Sequence, residues 1–237
     1  MLRTAIYYLL FFPWTLICAM VAIPSSFINA NLAHSVGIFW GRHCLTVAGL
    51  RLKVNGSENI PRDQPAIYVC NHQSNFDIPI LYAGLPIQFR WMAKKELFDI
   101  PVFGLAMKRC GYIPIDRSDR RKAMHSLADA AERIKGGTSV IVFPEGTRSP
   151  DGRLQEFKKG ALVIAAKAQV PVVPVAIDGS HRAQPRGSIR VNGADLRMTI
   201  FPPLATDDLK VHAIEDFTQK LHSQIASALE GGAGHAA

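Results

Sequence analysis

Between Arg3 and Arg42 the chain contains no lysine, arginine, aspartate or glutamate. A run of that length without charge excludes an ordinary solvated surface, where charged side chains are the norm. The four cysteines, Cys18, Cys44, Cys70 and Cys110, form no Cys-x-x-Cys pair, which excludes a zinc knuckle and a disulfide scaffold. The eight histidines include neither His-x-His nor His-Glu-x-x-His, so no metal site is expected. There is no internal repeat and no low-complexity linker. Aromatic and basic residues do not interleave, and no zinc or helix-turn-helix signature occurs, so no nucleic-acid partner is expected. The net charge of +8 therefore points to another anionic partner, a membrane surface or a phosphorylated substrate.

What stands in the uncharged stretch is apolar. Ala5 to Ile23 is nearly continuous, interrupted by Pro13, and as a helix rises about 28 Å, close to a bilayer's hydrocarbon thickness. Pro24-Ser25-Ser26 reads as a break, followed by a second helix carrying Phe27, Ile28, Leu32, Val36, Phe39 and Trp40. Basic residues flank the pair, Arg3 before it and Arg42, Arg51 and Lys53 after it. This pattern predicts a membrane-associated helical hairpin over residues 1–48, with both ends on the cytoplasmic face of the inner membrane. A single crossing, a cleaved signal sequence and a buried core helix are the alternatives.

At 237 residues the chain suits one large domain. Short β-rich runs alternate with helical patterns from residue 50 onward. Strands are expected at 50–54, 66–70, 88–92, 112–115, 139–143 and 172–177, and helices at 76–83, 102–109, 120–135, 159–168 and 212–229. Ile189 to Val191 and Arg197 to Phe201 read as a hairpin around Asn192-Gly193. The alternation predicts an α/β fold, a mostly parallel sheet covered by helices on both faces, at 49–230, with a flexible tail at 231–237.

In such a sheet, ligands bind beyond the carboxyl ends of the strands. Two segments stand at that address, Asn71-His72-Gln73-Ser74-Asn75-Phe76-Asp77 and Phe143-Pro144-Glu145-Gly146-Thr147-Arg148-Ser149. On one continuous helix His72 and Asp77 would point roughly 140° apart. They can meet if His72 lies in the turn after the strand and Ser74 or Asn75 caps a helix whose first turn carries Asp77. The carboxylate then fixes the imidazole tautomer and leaves Nε2 to accept a hydroxyl proton. In the second segment Gly146 frees the backbone, while Thr147 and Arg148 offer donors to a phosphate. Glu145 either binds a substrate hydroxyl or holds the loop by accepting backbone N–H bonds. Cys70 is the rival nucleophile, placed in a strand where cysteine is usually an inert apolar residue.

With these residues the chain resembles the 1-acylglycerol-3-phosphate acyltransferase family from about Leu50 to Pro203. Residues 71–77 match its His-x4-Asp block and residues 143–149 its Glu-Gly-Thr-Arg block. Gly111 to Arg117 resembles a further block, with Pro114 where an aromatic is usual, and Val170 to Val175 a proline-bearing strand. Ala93-Lys94-Lys95-Glu96-Leu97 is also similar to the family's pattern. The resemblance implies His72 as catalytic base, Asp77 as its partner, and Lys94, Arg117, Glu145, Gly146, Thr147 and Arg148 as substrate-binding residues. It implies transfer of a fatty acyl group from a thioester of coenzyme A or acyl carrier protein to the sn-2 hydroxyl of lysophosphatidic acid. No bound cofactor is expected, and membrane lipids are the expected surroundings. Another lysolipid, a lyso-ornithine lipid or lysophospholipid, is the alternative acceptor. A non-catalytic lipid-binding protein is the alternative of a different class.

Overall fold

The computed structural model describes residues 1–101, 103–116 and 118–233. Two helices come first, α1 (Leu2–Ile28) and α2 (Ala30–Val47). Then follow β1 (Arg51–Asn55), β2 (Ile67–Cys70), α3 (Asp77–Gly84), β3 (Phe89–Lys94), α4 (Phe103–Arg109), β4 (Ile113–Ile115) and α5 (Arg120–Lys135). The chain continues with β5 (Ser139–Val142), α6 (Lys159–Ala168), β6 (Val172–Asp178), the single turn α7 (Ser180–Ala183), β7 (Asp195–Ile200) and α8 (Ile214–Ala233).

Among the described residues these strands make one sheet in the order β1-β7-β6-β2-β5-β3-β4. β6, β2, β5, β3 and β4 run parallel, while β7 is antiparallel to β6 and parallel to β1. The mostly parallel sheet expected from the alternation is what forms. β2 is buried along its whole length, as a strand covered on both faces must be. Its Ile67 and Val69 join a core with Leu127, Ile134, Leu162 and Leu221 of α5, α6 and α8. Tyr68 and Cys70 face the other way, toward Tyr7, Leu45, Ile80 and Leu81 of α1, α2 and α3. Each fully buried Ile or Leu contributes about 1.5–3 kcal/mol.

The amino-terminal pair is therefore one of the layers that cover the sheet. α1 is long and apolar enough to cross a membrane, with a mean hydropathy of 2.0, yet only 11% of that window is buried. Most of α1 thus faces outward, although its Tyr7 joins the core. Leu9, Phe12, Leu16 and Phe39 turn outward, each more than half exposed. Polar contacts dock both ends of the pair to the domain. Thr4 Oγ1 accepts the Val191 N–H at 3.0 Å, and Arg90 Nη2 donates to Asn31 Oδ1 at 2.6 Å. At the far end of α1 the Arg109 guanidinium lies 3.7 Å from the centre of the Phe27 ring. α2 and α3 approach through Gly37 and Gly41: a Cβ at either position would come within 2.7 Å of Tyr82 atoms.

Three expectations are corrected. The break between the helices falls at Asn29, and α1 runs through both Pro13 and Pro24. The Ser25 and Ser26 hydroxyls turn back onto the carbonyls of Val21 and Ile23, at 2.7 and 2.6 Å, in the turn around Pro24. Asn29 is extended, and its Oδ1 accepts the Asn31 N–H at 2.7 Å as an N-cap. The hairpin around Asn192-Gly193 does not form. β7 pairs with β6 and β1, Val191 is claimed by Thr4, and neither turn residue takes the left-handed conformation that a two-residue hairpin requires. Finally, α8 continues through Gly231 and Gly232 to Ala233; residues 234–237 of the expected tail, like Val102 of the expected helix 102–109, lie outside the described residues.

Candidate active site

β2 and β5 are parallel neighbours, so the turns that follow them lie side by side. Each carries one of the two segments read from the sequence. Asn71 ends β2 and locks the turn to β6: its Nδ2 donates to Ile177 O at 2.8 Å and its Oδ1 accepts the Ile177 N–H at 2.7 Å. This amide substitutes for one more pair of ladder bonds and leaves the next residue, His72, free to leave the sheet plane.

His72 is then held on every side except one. Asp77 Oδ2 lies 2.8 Å from Nδ1, and the same oxygen accepts the N–H groups of Gln73 and Ser74 at 2.7 and 2.8 Å. Asp77 is fully buried, and its Oδ2 gathers these groups, so the carboxyl orients the imidazole through Nδ1. The His72 backbone is clamped as well, its N–H donating to Glu145 Oε1 at 2.5 Å and its carbonyl accepting the Ser149 N–H at 2.7 Å. Phe143 stacks on the imidazole with ring centres 4.0 Å apart and planes 14° from parallel. The geometry differs from the expected one in its cap. Phe76 precedes α3 without a side-chain cap, and Asp77 itself gathers the loop N–H groups from the first position of the helix.

Glu145 is buried, and both its oxygens are engaged by protein donors. Oε1 holds His72, while Oε2 takes the backbone N–H and side-chain amide of Gln155, each at 3.1 Å. These hydrogen bonds are the ones that the loop-holding role requires. Burial pushes its carboxyl pKa up, opposed by the N–H donors of His72 and Gln155. Gly146 takes a left-handed conformation (φ 75°), its N–H returning to Phe143 O at 3.0 Å. Thr147 is exposed, and Arg148 Nη1 donates to Asn75 Oδ1 at 2.6 Å. Asn75 in turn donates to Gln184, whose amide reaches Tyr8 of α1, so Arg148 belongs to a polar chain that ends on the apolar pair. Lys94 closes β3, more than half exposed and 3.4 Å from Glu96. Arg117 lies outside the described residues.

Two cavities meet at His72. One, about 510 Å³, is walled by Cys18, Ala22, Val36, Gly37 and Trp40 of the amino-terminal pair with Tyr82, Trp91 and Phe143. The hydroxyls of Tyr82 and Tyr112 bond to each other and Trp91 Nε1 donates to Tyr82 at 2.9 Å, so polar groups of that wall are mutually satisfied. The other, about 830 Å³, runs between β5, α5, α6 and the start of α8, with an apolar floor and with Lys94, Lys158, Lys159 and His212 at its rim. Nε2 of His72 is the ring nitrogen without a protein partner among the described residues. Cys70 is fully buried and its thiol pKa is raised well above the ordinary value, by burial first and by the charge of Asp77 second. It has neither the access nor the ionisation of a nucleophile.

Sequence reading missed Asn71, Phe143 and Gln155 as parts of this centre. Asn71 and Phe143 sit inside the two segments, and their positions at strand ends were the available signal. Gln155 has none, since its contact with Glu145 depends on how the loop after Gly146 folds back.

The acyltransferase family model matches residues 51–178. The chloroplastic 1-acyl-sn-glycerol-3-phosphate acyltransferase of Brassica napus is 45% identical over 153 residues, 64% of this chain and 44% of the relative. The 1-acyl-sn-glycerol-3-phosphate acyltransferase of Limnanthes douglasii is 34% identical over 210 residues, 88% of this chain and 74% of the relative. This chain thus spans less than half of the first and about three quarters of the second. Among solved structures, the 1-acyl-sn-glycerophosphate acyltransferase of Thermotoga maritima superposes with a TM-score of 0.85 at 28% identity, covering 100% of this chain and 97% of that one.

Proposed function

Because this chain belongs to the 1-acylglycerol-3-phosphate acyltransferase family, we propose that it transfers a fatty acyl group from a thioester to the sn-2 hydroxyl of 1-acylglycerol 3-phosphate, giving phosphatidic acid. The observation that carries this is the Asp77–His72 pair, which leaves Nε2 without a protein partner among the described residues where two cavities meet. Nε2 removes the hydroxyl proton as that oxygen attacks the thioester carbonyl. Asp77 holds the tautomer and steadies the imidazolium that results. The tetrahedral intermediate collapses with loss of thiolate, which takes the proton from His72, so no acyl-enzyme is required. Arg148 with Asn75 binds the acceptor phosphate by charge-assisted hydrogen bonds, with Thr147 and the backbone turn at Gly146 beside it. Lys94 stands at the meeting of both cavities and adds charge there. Glu145 acts by holding His72 rather than by touching substrate. The cavity walled by the amino-terminal helices takes a fatty chain, whose burial needs just such an apolar lining.

The outward-facing apolar residues of α1 and α2 rest in lipid, and the domain sits against the same surface, because α1 contacts it at both ends. Arg3 and Arg42 then lie on the side of the domain, which is the cytoplasmic face of the cell membrane by the distribution of positive charge.

The test is an assay of the purified protein in micelles, offered lysophosphatidate and a panel of other lysolipids with both thioester donors, with products identified by mass. Phosphatidic acid should be the dominant product. Faster acylation of a lysolipid without a phosphomonoester would move the acceptor assignment away from Arg148, and absence of transfer from either donor would overturn the reaction.

A further inference from the structure

The acyl-transfer reading leaves Lys158 and Lys159 of the larger cleft without a role, and these two cations are not equivalent. Lys159 pairs with Glu215 at 2.6 Å. Lys158 has no carboxylate partner among the described residues, yet its position is fixed. Its backbone N–H donates to Pro144 O at 3.0 Å, and its side chain lies across Gly146, where a Cβ would stand 2.9 Å from Nζ. An unpaired ammonium is thereby laid along the loop that holds His72, at the edge of a cleft with an apolar floor.

Arg148 does not line this cleft. Through Asn75 and Gln184 it is tied to Tyr8 on the lipid-facing helix, whereas Lys158 and Lys159 are tied to α6 and α8 on the opposite face of the sheet. Arg148 and Lys158 both adjoin the Gly146 turn, but different elements hold them. The seat linked to the amino-terminal pair suits an acceptor that arrives in lipid. The other is walled by the α/β domain alone, and its apolar floor under a charged rim matches a long, amphipathic, phosphate-bearing arm. Resting on the function proposed above, we propose that the larger cleft receives the phosphopantetheine arm of the thioester donor, with the Lys158 ammonium binding phosphate. The thioester carbonyl then lies at His72, and the acyl chain passes into the cavity walled by α1 and α2.

The experiment measures KM for both substrates in wild type, Lys158→Ala and Lys158→Arg, with palmitoyl-coenzyme A, palmitoyl-acyl carrier protein and phosphate-free palmitoyl-pantetheine as donors. Lys158 is exposed, so the variants should keep the wild-type melting temperature. Lys158→Ala should raise KM for palmitoyl-coenzyme A by roughly tenfold, the scale of one charge-assisted hydrogen bond. Lys158→Arg should restore most of it, and KM for lysophosphatidate and for palmitoyl-pantetheine should not move. A rise with both coenzyme A and carrier protein assigns the contact to the phosphate they share, and a rise with coenzyme A alone assigns it to the nucleotide phosphates; both support the donor cleft. A rise for lysophosphatidate in place of the donors, or no rise at all, overturns it. Should wild type transfer no acyl group, the proposed function fails, and the cleft is judged by binding of coenzyme A itself: equal affinity for wild type and Lys158→Ala then sinks it.

Discussion

The two cavities that meet at His72 are built from different materials. One borrows much of its wall from α1 and α2, helices whose outer faces are apolar and whose inner faces approach α3 through two glycines. The other is enclosed by helices of the α/β domain and rimmed by ammonium groups and a histidine. One imidazole serves both, and it is braced by two buried carboxylates with separate tasks. Asp77 acts on the ring and Glu145 on the backbone. The contrast teaches that a reaction between a lipid-borne and a water-borne partner needs two environments and one shared, rigid point.

The most severe way to break that arrangement is to remove the shared point. His72→Ala should lower kcat/KM about 10³-fold with either donor, the usual worth of a positioned base. Asp77→Asn should cost nearly as much by presenting the wrong tautomer. Both are read by steady-state transfer to lysophosphatidate, and a loss below tenfold in either would put the base elsewhere.

Glu145→Gln weakens the brace without touching the ring. Losing a charge-assisted bond to the His72 N–H should reduce kcat by roughly 10- to 100-fold. The pH behaviour sharpens the point. Because burial raises its pKa, Glu145 contributes stability that is full below the ordinary glutamate range and lost as pH rises through the raised value. Its catalytic service has the opposite sign, since the carboxylate is the better acceptor. The wild-type rate should therefore fall with acid at a pH above the ordinary glutamate range, and the Gln variant should lack that limb. An unchanged profile in the variant would detach Glu145 from the limb.

On the apolar side, Gly37→Leu should force α2 from Tyr82, costing about 1–3 kcal/mol of stability by overpacking. It should also reduce the ratio of long-chain to short-chain acyl transfer by roughly tenfold. A melting curve and a donor-length series measure the two effects, and an unaltered length series would separate this cavity from the fatty chain. Least of all should happen at Cys70. Cys70→Ala should leave kcat within about twofold while lowering stability by about 1 kcal/mol, as small core truncations do.

Much of this was legible in order of residues alone. The alternation of strand and helix patterns set the sheet, and it put each of the two segments at the carboxyl end of a strand. α5 was legible from its amphipathic run before Gly136-Gly137, and the structure adds a cap at its start, Asp119 accepting the Lys122 N–H at 2.9 Å. What stayed hidden depends on tertiary competition. Asn192-Gly193 has hairpin chemistry, but Thr4 takes Val191 and β6 takes β7, and both are distant in the chain. Pro24 has breaker chemistry, but α1 runs through it to Ile28 and ends where Asn29 is extended. Glu145 was seen as part of a phosphate loop, and its attachment to His72 N depends on β2 and β5 being neighbours, which no local pattern encodes.

The close seam between α2 and α3 carries a practical consequence. Tyr7, Leu45 and Ala48 belong to the same core as Tyr68 and Cys70 of the central strand. A gene shortened to begin after residue 48 would encode a sheet with one face left to α3 and a cavity missing part of its wall. For drug discovery, the unit to screen is the helices and sheet together in lipid. Compounds partitioning into the bilayer and compounds dissolved in water would then reach the same imidazole by opposite doors, and the two chemotypes need not compete until they meet there.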